Sequence, residues 1–491
     1  MQSGVHAGRA AAREPTMPQP DATAITTMPA QAAGRERDFG DYYLLFLCVL
    51  LAGYASFGKG FAYIGVPPLF IGEIALGLGL VALMLSGCWL AMMMTLPSLV
   101  LLALMAWVVI RTLPYLGIHG VDALRDSVLA VYGVFAFIIV GLILQKPSRL
   151  GRMIRIYSGF ALFYGFAGAV LAYTTSTLSD ILSWPFSGVP VVYVRMGEAS
   201  VHLCGAAIFV LLGLRRVPLL WTLAMLVGFV MISISRGAML AFLLPVCAAA
   251  VLGGKLHRLM PILTGGGALF AIMLALGLQV ELAGGRVIGP TQLVNNFESL
   301  LGHSEAANLD GTKTWRLRWW QSIQDYTLHG PYFWAGKGFG VNLAEDDGYV
   351  VGQETGGTPV RAPHNAHLNM LARAGVPGLV LWTLTAVTWF AMLMRWMVVA
   401  RRRGDVDWAN LFIWIACYGL SMLINASFDV ALEGPMLGIW YWCIIGLGIA
   451  STMIYAASLD TQRRSLSALR APAASSQNLP LKQSLPWGTQ R

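Results

Sequence analysis

The chain has 491 residues, 57% hydrophobic and only 12% charged, with a mean hydropathy of +0.65. That balance excludes a soluble domain and places the sequence among polytopic membrane proteins. The net charge of +9 invites a nucleic-acid partner, but the basic residues gather in tails and in short connections between apolar runs, so no nucleic acid is expected.

Residues 1–38 carry Arg9, Arg13, Arg35 and Arg37 among Ala, Pro, Thr and Gln with no apolar core, which predicts a disordered cytoplasmic tail and not a signal peptide. Apolar runs then recur near 43–58, 69–87, 97–113, 127–145, 157–173, 201–214, 217–234, 238–253, 260–280, 376–399, 409–427 and 436–457. A helix crossing a hydrocarbon core of ~30 Å needs ~20 residues, and the runs are continuously apolar rather than alternating, which argues against a barrel. The expected fold is an all-α polytopic membrane protein of about 12 transmembrane helices with one large, partly helical external loop. Helices 1–9 are assigned to 39–280, the loop to 281–373, helices 10–12 to 374–458, and a second disordered cytoplasmic tail to 459–491.

Orientation follows from the basic connections. With the N-terminus cytoplasmic, Lys146, Arg149, Arg152, Arg155, Arg215, Arg216, Lys255, Arg258, Arg401, Arg402, Arg403, Arg463 and Arg464 all fall inside, as the positive-inside bias requires. Both termini are then cytoplasmic and the loop at 281–373 is external. The six cysteines lie in or beside apolar runs without metal or disulfide spacing.

Some positive charge is left over. Arg195, Arg236, Arg286, Lys313, Arg316, Arg318, Lys337, Arg361 and Arg373 fall on the expected outer side, against the topology bias. Arginine's planar fork binds phosphate at two points and stays charged, so an anionic ligand is the natural cause. Surface ion pairing with the loop's acidic residues is the alternative. Three arginines stand out. Arg195 sits where an external loop re-enters the membrane, Arg236 tips a tight hairpin in Ser235-Arg236-Gly237-Ala238, and Arg316 heads Arg316-Leu-Arg318-Trp319-Trp320, the start of a helix expected to run to about Thr327. Snorkelling to the headgroups is the plainer reading of Arg195 and Arg236, and a place beside an aromatic belt that of Arg316.

A helix is predicted over 363–374, from Pro363 to the stop at Gly375 and Pro377, with His364 and His367 on one face and Asn365 and Asn369 on another. A neutral His364 imidazole can accept a hydroxyl proton. No phosphate-binding glycine loop and no His-Glu-x-x-His helix occurs, and Glu345-Asp346-Asp347 is a poor metal clamp. No metal and no cofactor are expected.

Four motifs in order carry a resemblance: Ser235-Arg236-Gly237-Ala238, Arg316-Leu-x-x-Trp320, Gly336-Lys-Gly338-Phe-Gly340, and His364-Asn365-x-x-Leu368 followed by Gly375-Val-Pro377-Gly378. Together with the hydropathy they resemble the O-antigen ligase and polymerase superfamily of bacterial envelope glycosyltransferases, over roughly residues 40–457. The resemblance implies a metal-independent membrane glycosyltransferase of the bacterial inner membrane whose large loop is periplasmic. It implies a glycan donor on undecaprenyl diphosphate and an acceptor hydroxyl on lipid A–core or on another glycan. Carried over by position, Arg236 and Arg316 would meet the diphosphate and His364 the acceptor hydroxyl. Arg195, Arg318, Arg361, Asn365 and His367 complete the candidate substrate contacts. Ligase and polymerase need the same residues. A polysaccharide or lipid transporter is the competing class, and it lacks the expected internal repeat and buried carboxylates.

Overall fold

The computed structural model describes residues 37–66, 69–178, 183–184, 188–233, 235–277, 280–282, 286–288, 307–350 and 360–470. The chain order is α1 (Phe39–Phe57), α2 (Lys59–Ala62), α3 (Ile71–Ser86), α4 (Leu96–His119), α5 (Val121–Val131), α6 (Val134–Gln145), α7 (Ser148–Leu178), α8 (Met196–Leu211), α9 (Leu219–Ile232), α10 (Arg236–Gly253) and α11 (Leu256–Ala275). After these come α12 (Ala307–Leu328), α13 (Leu343–Asp346), α14 (Ala366–Arg403), α15 (Val406–Ala426) and α16 (Pro435–Arg470). The strands described are two short antiparallel hairpins, Gly65–Val66 with Leu69–Phe70 and Val280–Leu282 with Arg286–Ile288. This is an all-α polytopic membrane fold.

By length and composition, seven described helices can cross a membrane: α1, α4, α10, α11, α14, α15 and the Pro435–Gln462 part of α16. The pair α5 and α6, bent by 45°, adds one broken span. Helices α3, α8 and α9 are apolar but only 16, 16 and 14 residues long. Most of the two expected tails, and 289–306 and 351–359 of the large loop, lie outside the described residues. Residues 459–470, assigned to the second tail, instead continue α16; Leu459, Gln462, Arg463 and Arg464 are good helix formers with no proline among them.

At one end of the bundle, Asp41 in the first turn of α1 is bonded by Lys146 at 2.6 Å, Arg149 at 3.0 Å and Arg152 at 2.8 Å. The basic connection thus pins α1 to the start of α7. In the core, indole N–H groups donate to backbone carbonyls of neighbouring helices: Trp389 to Ile445, Trp414 to Gly205, Trp440 to Leu51 and Trp442 to Leu129, at 2.8–3.2 Å. A buried indole must find such a partner, and small residues let the helices approach closely enough to offer one.

At the other end, the segment Tyr332–Gly340 lies along α4. Arg111 Nε donates to the Ala335 carbonyl at 2.8 Å, and Trp107 Nε1 to that of Ala374 at 2.9 Å. Lys337 N donates to Ala372 O at 2.7 Å and Gly338 N to Arg373 O at 3.0 Å, tying the same segment to α14. Gly338 takes φ 90°, and a Cβ there would meet the Tyr115 ring at 2.1 Å. Positive φ and close approach together demand glycine. Gly338→Ala should therefore destabilise the fold by about 2 kcal/mol or more, read as a lower melting temperature in detergent; an unchanged value would contradict the close contact.

Candidate active site

The last turn of α15 and the link to α16 form the hub. Phe428 N and Asp429 N both donate to Asn425 O, closing the helix, and Val430 N donates to Asp429 Oδ1 at 2.8 Å. Against this short link converge four elements distant in sequence. Arg195, the N-cap residue of α8, donates Nη1 to Asp429 Oδ1 at 3.0 Å. Arg316, on α12, donates Nη1 to the Phe428 carbonyl at 3.1 Å. Gly237 in the first turn of α10 packs against the Phe428 side chain, which seats the neighbouring Arg236 there. His364 places Nδ1 3.7 Å from Asp429 Oδ1. Trp320, one turn after Arg316, donates its indole N–H to Pro363 O at 2.7 Å and so brings the residue before His364 onto α12.

The electrostatics follow from this crowding. Burial lowers the pKa of the Arg316 guanidinium; the nearby Asp429 carboxylate works against that and the Arg236 charge adds to it. Two arginines are thus near enough for their charges to oppose each other. Arg316 Nε is moreover buried without a hydrogen-bond partner. Burial would raise the Asp429 carboxyl, but contact with His364 and the Arg195 charge outweigh it and hold its pKa below the ordinary range. Asp429 is the anion that lets these cations share one place.

The structure alters the expected histidine helix. It begins at Ala366, not 363, because Asn365 is the stronger cap: its Oδ1 accepts from His367 N at 3.0 Å and Leu368 N at 3.1 Å. His364 therefore stands before the helix at φ 51°, the single non-glycine positive φ among the described residues. Such a conformation costs on the order of 1–3 kcal/mol and persists only when neighbours enforce it. Two helical stretches meet at a kink at Gly375, φ 69°, where a stop was expected, and the second runs on to Arg403.

Asn365 thus has its side-chain oxygen committed to the backbone. His367 is equally occupied: Trp382 Nε1 donates to its Nδ1 at 2.9 Å, and its Nε2 lies 3.1 Å from Ser427 Oγ. The accepted bond at Nδ1 leaves the proton on Nε2, so His367 donates to Ser427, whose hydroxyl donates on to Leu423 O. His367 steadies the link that carries Asp429. Arg318 is exposed, while Arg316 beside it faces the hub. Arg361 belongs to a separate cluster: it lies 3.4 Å from Asp122 and 3.7 Å from Asp126 and donates to Gly340 O. Arg373 joins that cluster at 3.0 Å from Asp126. Lys337 pairs with Asp346 and Asp347, and Trp319 donates to Asp347 at 2.6 Å, so the acidic triplet braces the loop.

Sequence reasoning missed Asp429, Glu198, Asn425 and Glu433. Glu198 and Asn425 are 3% and 2% exposed, and each has a buried side-chain atom without a partner, Oε1 and Nδ2. Glu433, four residues past Asp429, has the same at Oε1. The usable signal was the short polar connection Ser427–Gly434, which holds two carboxylates between the last two apolar runs.

The arrangement is that of a polytopic membrane protein whose polar end holds basic groups around one carboxylate, suited to a multiply charged anion. Residues 220–383 match the family model described as O-antigen ligase. The chain therefore carries an O-antigen ligase domain of the O-antigen ligase and polymerase superfamily, as its motifs suggest. The matched segment holds Arg236, Arg316 and His364 and leaves Arg195 and Asp429 outside. No curated protein matches the chain.

Burial pushes the Glu433 carboxyl up to about 7, with Arg373 opposing and Asp126 and Asp429 adding to the rise. A carboxyl that holds its proton more tightly folded than unfolded stabilises the fold below its ordinary value of 4.5 and loses that contribution as pH climbs through 7. Between about pH 5 and 8 the wild type should lose thermal stability relative to Glu433→Gln; parallel melting curves would contradict this.

Proposed function

We propose that the protein is a metal-independent O-antigen ligase-type glycosyltransferase that moves a glycan from undecaprenyl diphosphate to an acceptor hydroxyl on lipid A–core. The observation that carries this reading is the meeting of Arg195, Arg316 and His364 at Ser427–Val430, with Arg236 beside them. In the reaction the acceptor oxygen attacks the anomeric carbon, the bond from that carbon to the diphosphate oxygen breaks, and the diphosphate leaves with the electron pair. Arginines held in place before the reaction stabilise that growing charge more than the ground state. His364 turns Nδ1 toward Asp429, which leaves Nε2 to take the hydroxyl proton. Asp429 orients the imidazole and favours the imidazolium that forms.

This reading takes twelve crossings: α7 and the short helices α3, α8 and α9 are counted as spans beside the seven long helices and the bent pair α5–α6. With both termini cytoplasmic in the inner membrane, the basic connections fall inside and the Asp429 hub falls on the periplasmic side together with the loop at 281–373.

Alanine at Arg316 or Arg236 should lower glycan transfer about a hundredfold or more, at ~3 kcal/mol for each fixed donor, with the protein still inserted and folded. Deleting the gene and separating lipopolysaccharide and lipid-linked glycans on a gel identifies the acceptor. Long glycans stranded on the carrier indicate a ligase; single repeats joined to core indicate a polymerase using the same donor. Normal patterns of both would refute transfer in this pathway.

A further inference from the structure

Arg111 is a cation that topology leaves unexplained and the hub does not use. It lies on α4 between Ile110 and Leu113, which are 57% and 59% exposed on a helix long and apolar enough to span a membrane. Its Nε is spent on the Ala335 carbonyl, and none of its four terminal N–H groups has a hydrogen-bond partner among the described residues. Beside it, Trp334 is 71% exposed, the most open aromatic side chain among those described, and Tyr332 is 37% exposed.

The depth of this pair can be read along α4. The connecting segment runs parallel to the helix: Ala335 lies at Arg111, Gly338 against Tyr115 and Gly340 against His119. Arg111 is therefore about 12 Å below the end of α4 at 1.5 Å per residue. The span of α14 starts at the same level, since Val376 N donates to Phe333 O at 2.8 Å just after the break at Gly375. On a lipid-facing stretch set back from the helix tip, a long guanidinium reaches out to phosphodiester oxygens and an indole is favoured at the interface.

We propose that Arg111 and Trp334 form a phospholipid site in the leaflet on the loop side, with the terminal guanidinium N–H groups on the lipid phosphate and the indole beside the glycerol region. The bound headgroup clamps Tyr332–Gly340 onto α4 and, through Lys337 and Gly338, steadies the start of α14. The site does not depend on the reaction assigned above.

The test is titration of the delipidated protein in detergent with phosphatidylglycerol, counting retained lipid by native mass spectrometry. Arg111→Gln should weaken binding of the tightest lipid about tenfold or more, the loss expected for a hydrogen bond to a charged group, and Arg111→Lys should restore most of it. Trp334→Leu, which keeps an apolar surface, should weaken it less and guards against misfolding of the arginine variant. Inorganic phosphate at millimolar concentration should fail to compete. Identical titrations for wild type, Arg111→Gln and Trp334→Leu would overturn the site, and so would full displacement by inorganic phosphate.

Discussion

The single negative charge of Asp429 is the constraint on which the polar end of the molecule depends. Arginines from three elements distant in sequence cannot share a half-buried volume without a counter-charge, since each would lose its water and repel the rest. Asp429 takes one hydrogen bond from Arg195, stands at ion-pair distance from His364, and lies next to the carbonyl that accepts from Arg316. The resulting cluster remains net positive. Its position is fixed by neutral bonds: the chain from Trp382 through His367 to Ser427 holds the link from below.

The basic residues at this end of the molecule therefore fall into two groups with different work. Arg195, Arg236 and Arg316 surround the hub. Arg361, Arg373 and Lys337 are matched by Asp122, Asp126, Asp346 and Asp347 and hold the loop on α4, α5 and α14. The second group gives the first its rigidity, because the segment that ends at His364 begins at Arg361. Electrostatic preorganisation needs such support, since donors that must move into place at the moment of reaction stabilise nothing in advance.

Much of this could be read from the residues. Continuous apolar runs gave the helices, and the order of four short motifs gave the superfamily. Arg236 and Arg316 stood out because charge on the expected outer side contradicts the topology bias. The pattern failed where tertiary contacts decide. Nothing local distinguishes Arg361, which is ion-paired, from Arg316, which donates to the Phe428 carbonyl. The choice of Asn365 over Pro363 as the start of α14 turned a histidine expected on a helix into one held at positive φ before it. Asp429 was passed over for a related reason: a carboxylate in a short connection acquires meaning only when the fold brings Arg195, Arg316 and His364 to it.

The most direct measurement is a double-mutant cycle in a transfer assay with purified protein, a polyprenyl-diphosphate-linked oligosaccharide and an acceptor, comparing Asp429→Asn, His364→Ala and the double variant. Residues acting as one unit give a double variant scarcely worse than the poorer single one. That result is expected if Asp429 assembles the imidazole and the arginines. Losses that simply multiply, or an Asp429→Asn protein with undiminished transfer, would contradict it.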